Sequence, residues 1–578
     1  MSWGSRKAPA IARLIAMSAV LLYGCSGSET GPDTANVGAA NSENGTSPVR
    51  GVNSGPGRPA ARPRAGAADA DRRFRTIDGT SNNRNTPEMG AAGARLIRLT
   101  AADYGDGISS FSGGSRPNPR VVSNAIHAQA ASSPNASRLS DYLWQWGQFL
   151  DHDIDLTEGV EPEEHADIPI PAGDEFFDPD STGTQVMPFN RSIYDTETGT
   201  SFSNPREQVN EITAWIDASN VYGSDSTRAA ALRSNDGTGR LKTSAGNLLP
   251  FNTAGLPNAG GDSEVLFLGG DLRANEQLGL TTMHTLFVRE HNRLVGELTA
   301  ANPQWNGERL YQEARARVGA QMQIITFQEF LPALLGPDAI PTYSGYDDDI
   351  DAGIANSFST AAYRLGHSML SDRILRLDGD GSEHSAGHLT LRDAFFQPAR
   401  LVNEGGIEPM LRGLAAQVSQ SIDHQIVDEV RNFLFGPPGA GGFDLVTLNI
   451  HRGRDHGLGS YNDLRLAMGL DPAVTFADIT SDVELQSKLA SVFPSPDDVD
   501  AWTGGLCVDH LAGAQVGELL YAVIRDQFVR LRDGDRYWYT RTLDSGTQRE
   551  LESLRLSDII RLNTEIDDEI ANDVFRVP

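Results

Sequence analysis

Trp144-Gln145-Trp146-Gly147-Gln148-Phe149-Leu150-Asp151-His152-Asp153 is the stretch around which the rest of this 578-residue sequence is organised. It sets an amide, an imidazole and two carboxylates within six residues, beside two tryptophans. Read as a helix, Gln148, Asp151 and His152 fall at i, i+3 and i+4 and project from one face. A polar face inside an aromatic-rich segment lines something buried. Two readings are open at this point. The face lines a ligand pocket in which His152 moves protons, or His152 is a core histidine held by a carboxylate. The motifs downstream decide between them.

Composition narrows the function classes. Lys and Arg number 48 against 77 Asp and Glu, a formal net charge of −29. Phosphate backbones need a basic surface, so no nucleic-acid partner is expected. A small anionic substrate would have to be drawn in by a local cationic pocket. The two cysteines, Cys25 and Cys507, exclude a disulfide framework and a cysteine metal cage. Counting leaves a thiolate ligand at Cys507 open. Its surroundings, Gly504-Gly505-Leu506-Cys507-Val508, favour a buried structural thiol.

Arg6 and Lys7 precede an apolar run, Leu14 to Leu22, too short to span a bilayer. Residues 1–25 read as an export signal. Leu22-Tyr23-Gly24-Cys25 resembles a lipoprotein cleavage box, so a lipid anchor on Cys25 is expected, with ordinary cleavage nearby as the alternative. Residues 26–71 are rich in Gly, Ser, Ala, Pro and Asn and read as a flexible tether. Residues 72–578 show no second linker and no repeat, so one large domain is expected. Apolar residues at helical spacing predict helices over 278–298, 309–335, 407–434 and 519–531. Strand-like alternation is scarce, and the fold class is mainly α.

Further constellations carry the chemistry. Thr213-Ala214-Trp215-Ile216-Asp217-Ala218-Ser219 places oxygen-bearing side chains at 213, 217 and 219. In an extended segment these converge, as calcium requires, with Asp153 as a further carboxylate. The alternative is a polar loop capping the next helix. In Asp271-Leu272-Arg273-Ala274-Asn275-Glu276-Gln277, Asp271 or Asn275 is expected to cap a helix with Glu276 in its first turn. Arg273 is a candidate fixed cation. His284 and His291 lie seven apart, too far for one metal, and read as hydrogen-bonded core residues. In Tyr363-Arg364-Leu365-Gly366-His367-Ser368, Gly366 lets a flat ligand approach and His367 is a candidate iron ligand. Asn449 can accept the second ring N–H of such a ligand, and Arg452 can pair with a propionate.

Taken in this order, the constellations resemble the animal-type haem peroxidases of the peroxidase–cyclooxygenase superfamily, from about Phe74 to Pro578. The resemblance implies a largely helical peroxidase domain and roles residue by residue. His152 matches the distal histidine, Gln148 the distal glutamine and Arg273 the distal arginine. His367 matches the proximal iron ligand and Asn449 its hydrogen-bond acceptor. Asp151 and Glu276 match the carboxylates that esterify the haem. Asp153, Thr213, Trp215 through its carbonyl, Asp217 and Ser219 match the calcium site. The implied cofactors are therefore an ester-linked haem derived from haem b and Ca2+.

The implied substrates are hydrogen peroxide with bromide, iodide, thiocyanate or phenolic donors. Gln277 stands where myeloperoxidase has a methionine bonded to the haem, so no sulfonium link is expected. The near absence of cysteine and the lipoprotein-like start depart from the animal enzymes and suggest a bacterial relative. A fatty-acid dioxygenase is the competing enzyme reading. It needs a tyrosine three residues before the proximal histidine, where this chain has Arg364. A non-catalytic adhesion protein is the reading from another class; the set His152, Arg273 and His367 argues against it.

Overall fold

The decisive stretch is a helix, α1, spanning Tyr142–Ile154 in a computed structural model that describes residues 73–578. The export signal, Cys25 and the tether expected over residues 1–71 lie outside the described residues. Tyr142, Leu143, Trp146, Phe149 and Leu150 of α1 have no solvent exposure. The helix stops at Asp155, whose backbone turns extended.

α1 packs on the long helix α2, Leu278–Ala301, through Phe149 stacked on Phe287 at 5.1 Å and Trp146 against the same ring at 5.8 Å. The polar interruption of the apolar stripe, His291, is buried and bonded to the Tyr222 hydroxyl at 2.8 Å and the Gly239 carbonyl at 3.0 Å. α3, Gly307–Ile325, runs through a π turn, Thr326–Phe330, into Leu331–Leu335, close to the expected span. α4, Leu445–Asp455, begins at Asp444, which accepts from the Val446 N–H. Arg120 is fully buried and anchors that cap, reaching Asp444 at 2.7 Å and Asp174 at 2.7 Å. α5, Glu518–Asp533, closes the core. Strands are few, as expected. β1, Ile168–Pro169, pairs antiparallel with β2, Val186–Met187, and β3, Arg373–Ile374, with β4, Leu389–Thr390. Residues 74–578 form one compact unit around a shared core.

Three expectations are corrected. The stretch 407–434 is not one helix: Glu408–Ala416 and Asp428–Arg431 are helical, and the chain between them is extended. There it forms isolated bridges, Val418 to Ser140, Gln420 to Pro134 and Ile426 to Ala128, so tertiary pairing overrides local periodicity. The α2 cap is Gln277, accepting from the Gly279 N–H at 2.6 Å; Asp271, Asn275 and Glu276 precede the helix. Residues 213–218 are a chain of bends, not a strand, with Ala218 left-handed at φ 64° before the short helix Ser219–Tyr222.

Candidate functional site

One face of α1 looks into a recess. Gln148 and Asp151 keep partial exposure there, while His152 one residue on is 3% exposed. Asp151 retains 29% of its side chain accessible, yet burial is the main cause that raises its carboxyl. The neighbouring Asp155 carboxylate adds to that rise, and Arg273 and Arg364 oppose it.

Arg273 is clamped. Its Nε donates to Asp271 Oδ1 at 2.9 Å and its Nη2 to Asp271 Oδ2 at 3.0 Å, a forked pair of charge-assisted bonds. Nη2 also reaches the Asp155 carbonyl at 2.8 Å, and Nη1 lies 3.4 Å from Asp151. Burial works to raise the Asp271 carboxyl, but Arg273 and His152 outweigh it and hold the group ionised. His152 Nδ1 is 3.6 Å from the same carboxylate, too long for a hydrogen bond, and is buried without a partner. Burial first, then the Arg273 charge, pushes the His152 pKa far down. The imidazole is thus neutral at pH 7. With Nδ1 turned toward Asp271, Nε2 is the nitrogen left for a substrate.

The opposite wall is the 3-10 helix Ala362–Ser368, packed against α1. Burial, then Arg364, lowers the His367 pKa to about 3, leaving a neutral ring. A Cβ on Gly366 would meet only the Met369 methyl, at 3.9 Å, so the backbone here borders open space. Asn449 on α4 reaches His367 as expected, but with the other end of its amide. Its Oδ1 accepts from Arg364 Nη1 at 3.0 Å, which leaves Nδ2 facing His367 Nδ1 at 2.8 Å. Arg364 is also held by the Ser359 carbonyl, which accepts from its Nε at 2.9 Å. Arg452 Nη1 is engaged by the Asn190 carbonyl, Ser192 and Asp455 at 2.7–3.2 Å. Glu276 lines the recess from the loop before α2; burial lifts its carboxyl to about 7, with Arg273 opposing. Gln277 donates to Gln145 at 2.6 Å and to Gln148 at 3.0 Å, tying that loop to α1.

Beneath α1 lies the second constellation. Asp153 is fully buried; its carboxylate accepts from the backbone N–H of Asp217, Ala218 and Asn220 at 3.1–3.3 Å. Ser219 Oγ donates to the Asp153 carbonyl, and Thr213 Oγ1 donates to Asp217 Oδ1 at 3.2 Å. Trp215 is buried, its indole donating to the Gly79 carbonyl. Asp217 Oδ2 is buried without a hydrogen bond, 3.7 Å from Arg315. Burial, then mutual repulsion with Asp217, raises the Asp153 carboxyl. Two buried acids with an orphaned oxygen fit a hard cation, although only two carboxylates are present and hydroxyls and carbonyls must complete the set.

Sequence reasoning brought together His152, Arg273, Gln148, Asp151, Glu276, His367 and Asn449, and the structure gathers them around the recess. It missed three residues. Asp271, weighed only as a helix cap, fixes Arg273. Arg364, noted only for the tyrosine it replaces, holds the Asn449 amide. Asn220 accepts the Asp271 N–H at 3.1 Å and contacts His284 Nδ1 at 3.0 Å through one carbonyl, and so joins the loop bearing Arg273 to α2. The spacing of Arg364 to His367 was a usable signal. Asn220 works through its backbone and gave none. Cys507 is buried, as expected.

Two neutral histidines, a clamped guanidinium and raised carboxyls on a helical scaffold give a recess suited to a bound prosthetic group. The comparisons name its kind. A family model described as animal haem peroxidase matches residues 74–575. Peroxinectin A of Dictyostelium discoideum is 35% identical over 523 residues, 87% of this chain and 96% of its own. Thyroid peroxidase of Sus scrofa is 35% identical over 567 residues, again 87% of this chain but 60% of its own, and this chain spans 37% of the human peroxidasin homolog. The solved peroxidase A of Dictyostelium discoideum aligns with a TM-score of 0.81 and 33% identity over 87% of this chain and 99% of that one. A fatty acid alpha-dioxygenase of Arabidopsis thaliana, TM-score 0.74 at 20% identity, shares the fold. The chain belongs to the animal haem peroxidase family. It is a peroxidase, and the recess fits the haem that the family binds: a neutral histidine on one wall, open backbone at Gly366, and two raised carboxyls beside a guanidinium.

The Glu276 shift has a measurable sign. Between about 4.5 and about 7 the folded, haem-free protein holds a proton there that the unfolded chain has lost. This site therefore costs stability as pH rises through that window. Glu276→Gln should gain on the parent in urea unfolding as the pH goes from about 5 to about 8. An unchanged difference across the window would contradict the shift.

Proposed function

We propose that the chain reduces hydrogen peroxide at a haem held in the recess, with His367 as the iron ligand, and draws electrons from bromide, iodide, thiocyanate or phenols. One observation carries the reading: a neutral imidazole and a guanidinium clamped by Asp271 stand together, across from the wall that presents His367. Haem, when bound, supplies the redox chemistry of the iron. The side chains do the rest. His152 Nε2 accepts a proton from one peroxide oxygen and returns it to the other, so that water leaves. Arg273 stabilises the negative charge on the departing oxygen, and its forked bonds to Asp271 mean no reorganisation is needed. Gln148 holds water or a small anion beside them. For His367 to ligate iron through Nε2, Nδ1 must carry the proton and donate to Asn449 Oδ1. The amide would then turn its Oδ1 from Arg364 to His367, and Arg364 and Arg452 would be the residues to pair with haem propionates. Arg364, in the place of a dioxygenase tyrosine, supports peroxidase over fatty-acid chemistry.

His152→Ala should slow the reaction with peroxide by about 10²-fold or more, read by stopped-flow absorbance. A variant as fast as the parent would remove His152 from the role.

A calcium ion is proposed between Asp153, Asp217, Thr213, Ser219 and the Trp215 carbonyl, offsetting the repulsion of the two buried acids. Prolonged chelation should lower the unfolding temperature and disturb the haem spectrum together, since Asp153 adjoins His152. Metal analysis that finds no calcium in dialysed protein with a normal spectrum would end this claim.

Asp151 and Glu276 are proposed to bond haem through esters, each being a raised carboxyl on the recess wall. Acidified organic solvent should then leave haem on peroxide-treated protein, and complete extraction would count against the esters. The amide of Gln277 is occupied by Gln145 and Gln148 and offers no sulfur for a third bond. Chloride is therefore ranked below the other anions, a ranking that rapid chloride oxidation at neutral pH would reverse.

Export with a lipid on Cys25, in a bacterial envelope, completes the proposal. Mass spectrometry should find a lipidated Cys25 at the mature terminus.

A further inference from the structure

Away from the recess, a cavity of about 220 Å³ is lined by Phe327, Ile340, Thr342, Tyr343, Trp538 and Tyr539 among others, and none of its lining residues belongs to the site above. Its size suits one aromatic ring better than an extended ligand. Arg532 is the cation of its wall, but Nε is paired with Asp533 at 2.7 Å and Nη1 donates to the Pro341 carbonyl at 2.6 Å. Asp533 thus balances the charge, while Nη2 is buried without a partner and is left to donate to a ligand hydroxyl, and the chain as a whole carries −29. The balance and the net charge favour a neutral ligand over an anion.

What distinguishes the cavity from ordinary core packing is where its rings lead. Trp538 sits 5.9 Å from Tyr343, 5.2 Å from Tyr539 and 5.0 Å from Phe327, centroid to centroid. Phe327 meets Phe528 at 6.2 Å, and Phe528 meets Tyr363 at 5.7 Å. Tyr363 also stacks on Phe358 at 4.5 Å. It lies four residues before His367 on the same 3-10 helix, and its hydroxyl is buried without a partner. The run therefore connects the cavity to the wall of the recess without a break. Tryptophan and tyrosine are its oxidisable stations; the phenylalanines bridge them. Tyr539 donates its hydroxyl to Glu552 at 2.8 Å, so a carboxylate stands ready to take that proton if Tyr539 is oxidised.

We propose that this cavity binds a neutral single-ring phenol and passes its electrons, one per phenol, through Trp538 and Tyr363 to the haem recess. The proposal rests on the haem reading above. Each phenol loses one electron along the run and its hydroxyl proton to solvent at the cavity mouth, leaving as a phenoxyl radical. Two such phenols reduce one hydrogen peroxide to two waters. Small anions, in contrast, react in the recess, so the chain would serve two donor classes at two places.

The test uses the holoenzyme with 4-methylphenol and iodide as alternative donors. Trp538→Phe should lower kcat/KM for 4-methylphenol by about tenfold or more relative to that for iodide. Thr342→Trp, at an exposed position on the cavity rim, should raise KM for 4-methylphenol relative to iodide. Freeze-quenched paramagnetic resonance after peroxide alone should show a protein radical whose spectrum changes in Trp538→Phe. If both variants keep the parental ratio of phenol to iodide turnover, the cavity is not a donor site. If the radical spectrum is unaltered in Trp538→Phe, Trp538 is not in the path. A parent that binds no haem, or turns over neither donor, would overturn the haem reading, and the relay with it. Should Trp538→Phe fail to fold, the rim variant still decides whether phenols enter here.

Discussion

The carboxylate of Asp153 is the contact on which the active side of this protein depends. Buried under α1, it binds the backbone N–H groups of residues 217, 218 and 220. Those bonds fix the loop whose next carbonyl, on Asn220, accepts from Asp271 and meets His284. Asp271 in turn sets Arg273. The histidine next to Asp153 and the arginine far along the chain are thus placed by one connected set of backbone bonds. Close approach is part of it: a Cβ on Gly270 would fall 2.5 Å from the Asn220 carbonyl, so this junction admits no side chain there. A charge buried so deeply is costly unless matched, which is why the cation proposed beside it belongs to the architecture as much as to the chemistry.

The two walls of the recess are built differently. α1 and the loop before α2 are fixed by charged and amide networks. The wall bearing His367 is a short 3-10 turn packed on Phe358 and Phe528, with the Asn449 amide of α4 bonded to both Arg364 and His367 and the Trp502 indole donating to the Arg364 carbonyl. Arg364 bridges the two, bonded to Asn449 while its charge is felt at Asp151. It lowers the His367 pKa and competes for the acceptor that His367 would use.

What the sequence disclosed follows from how each feature is encoded. Helical periodicity placed α2, α3 and α5, because their apolar stripes face one core. The expected helix over 407–434 broke because residues 418–426 pair with the chain ahead of α1, a partner that lies far away in sequence. Side-chain chemistry at fixed spacing marked His152, Arg273 and His367. The orientation of the Asn449 amide was not legible, since it depends on Arg364 arriving from another element. Asp271 was misread as a cap because an acidic residue before a helix has that common use, and Gln277 takes it instead.

Cys507 has a consequence for durability. A thiol is attacked as its thiolate, and burial holds this one protonated and out of solvent. Met187, Met283, Met322, Met369 and Met410 are likewise buried. A peroxidase is the first target of the oxidised products it releases. Here the most readily oxidised sulfur, the Cys507 thiol, is shielded inside the fold, and cohesion rests on bonds that contain none, so no cross-link is present among the described residues for the oxidant to cleave or reshuffle.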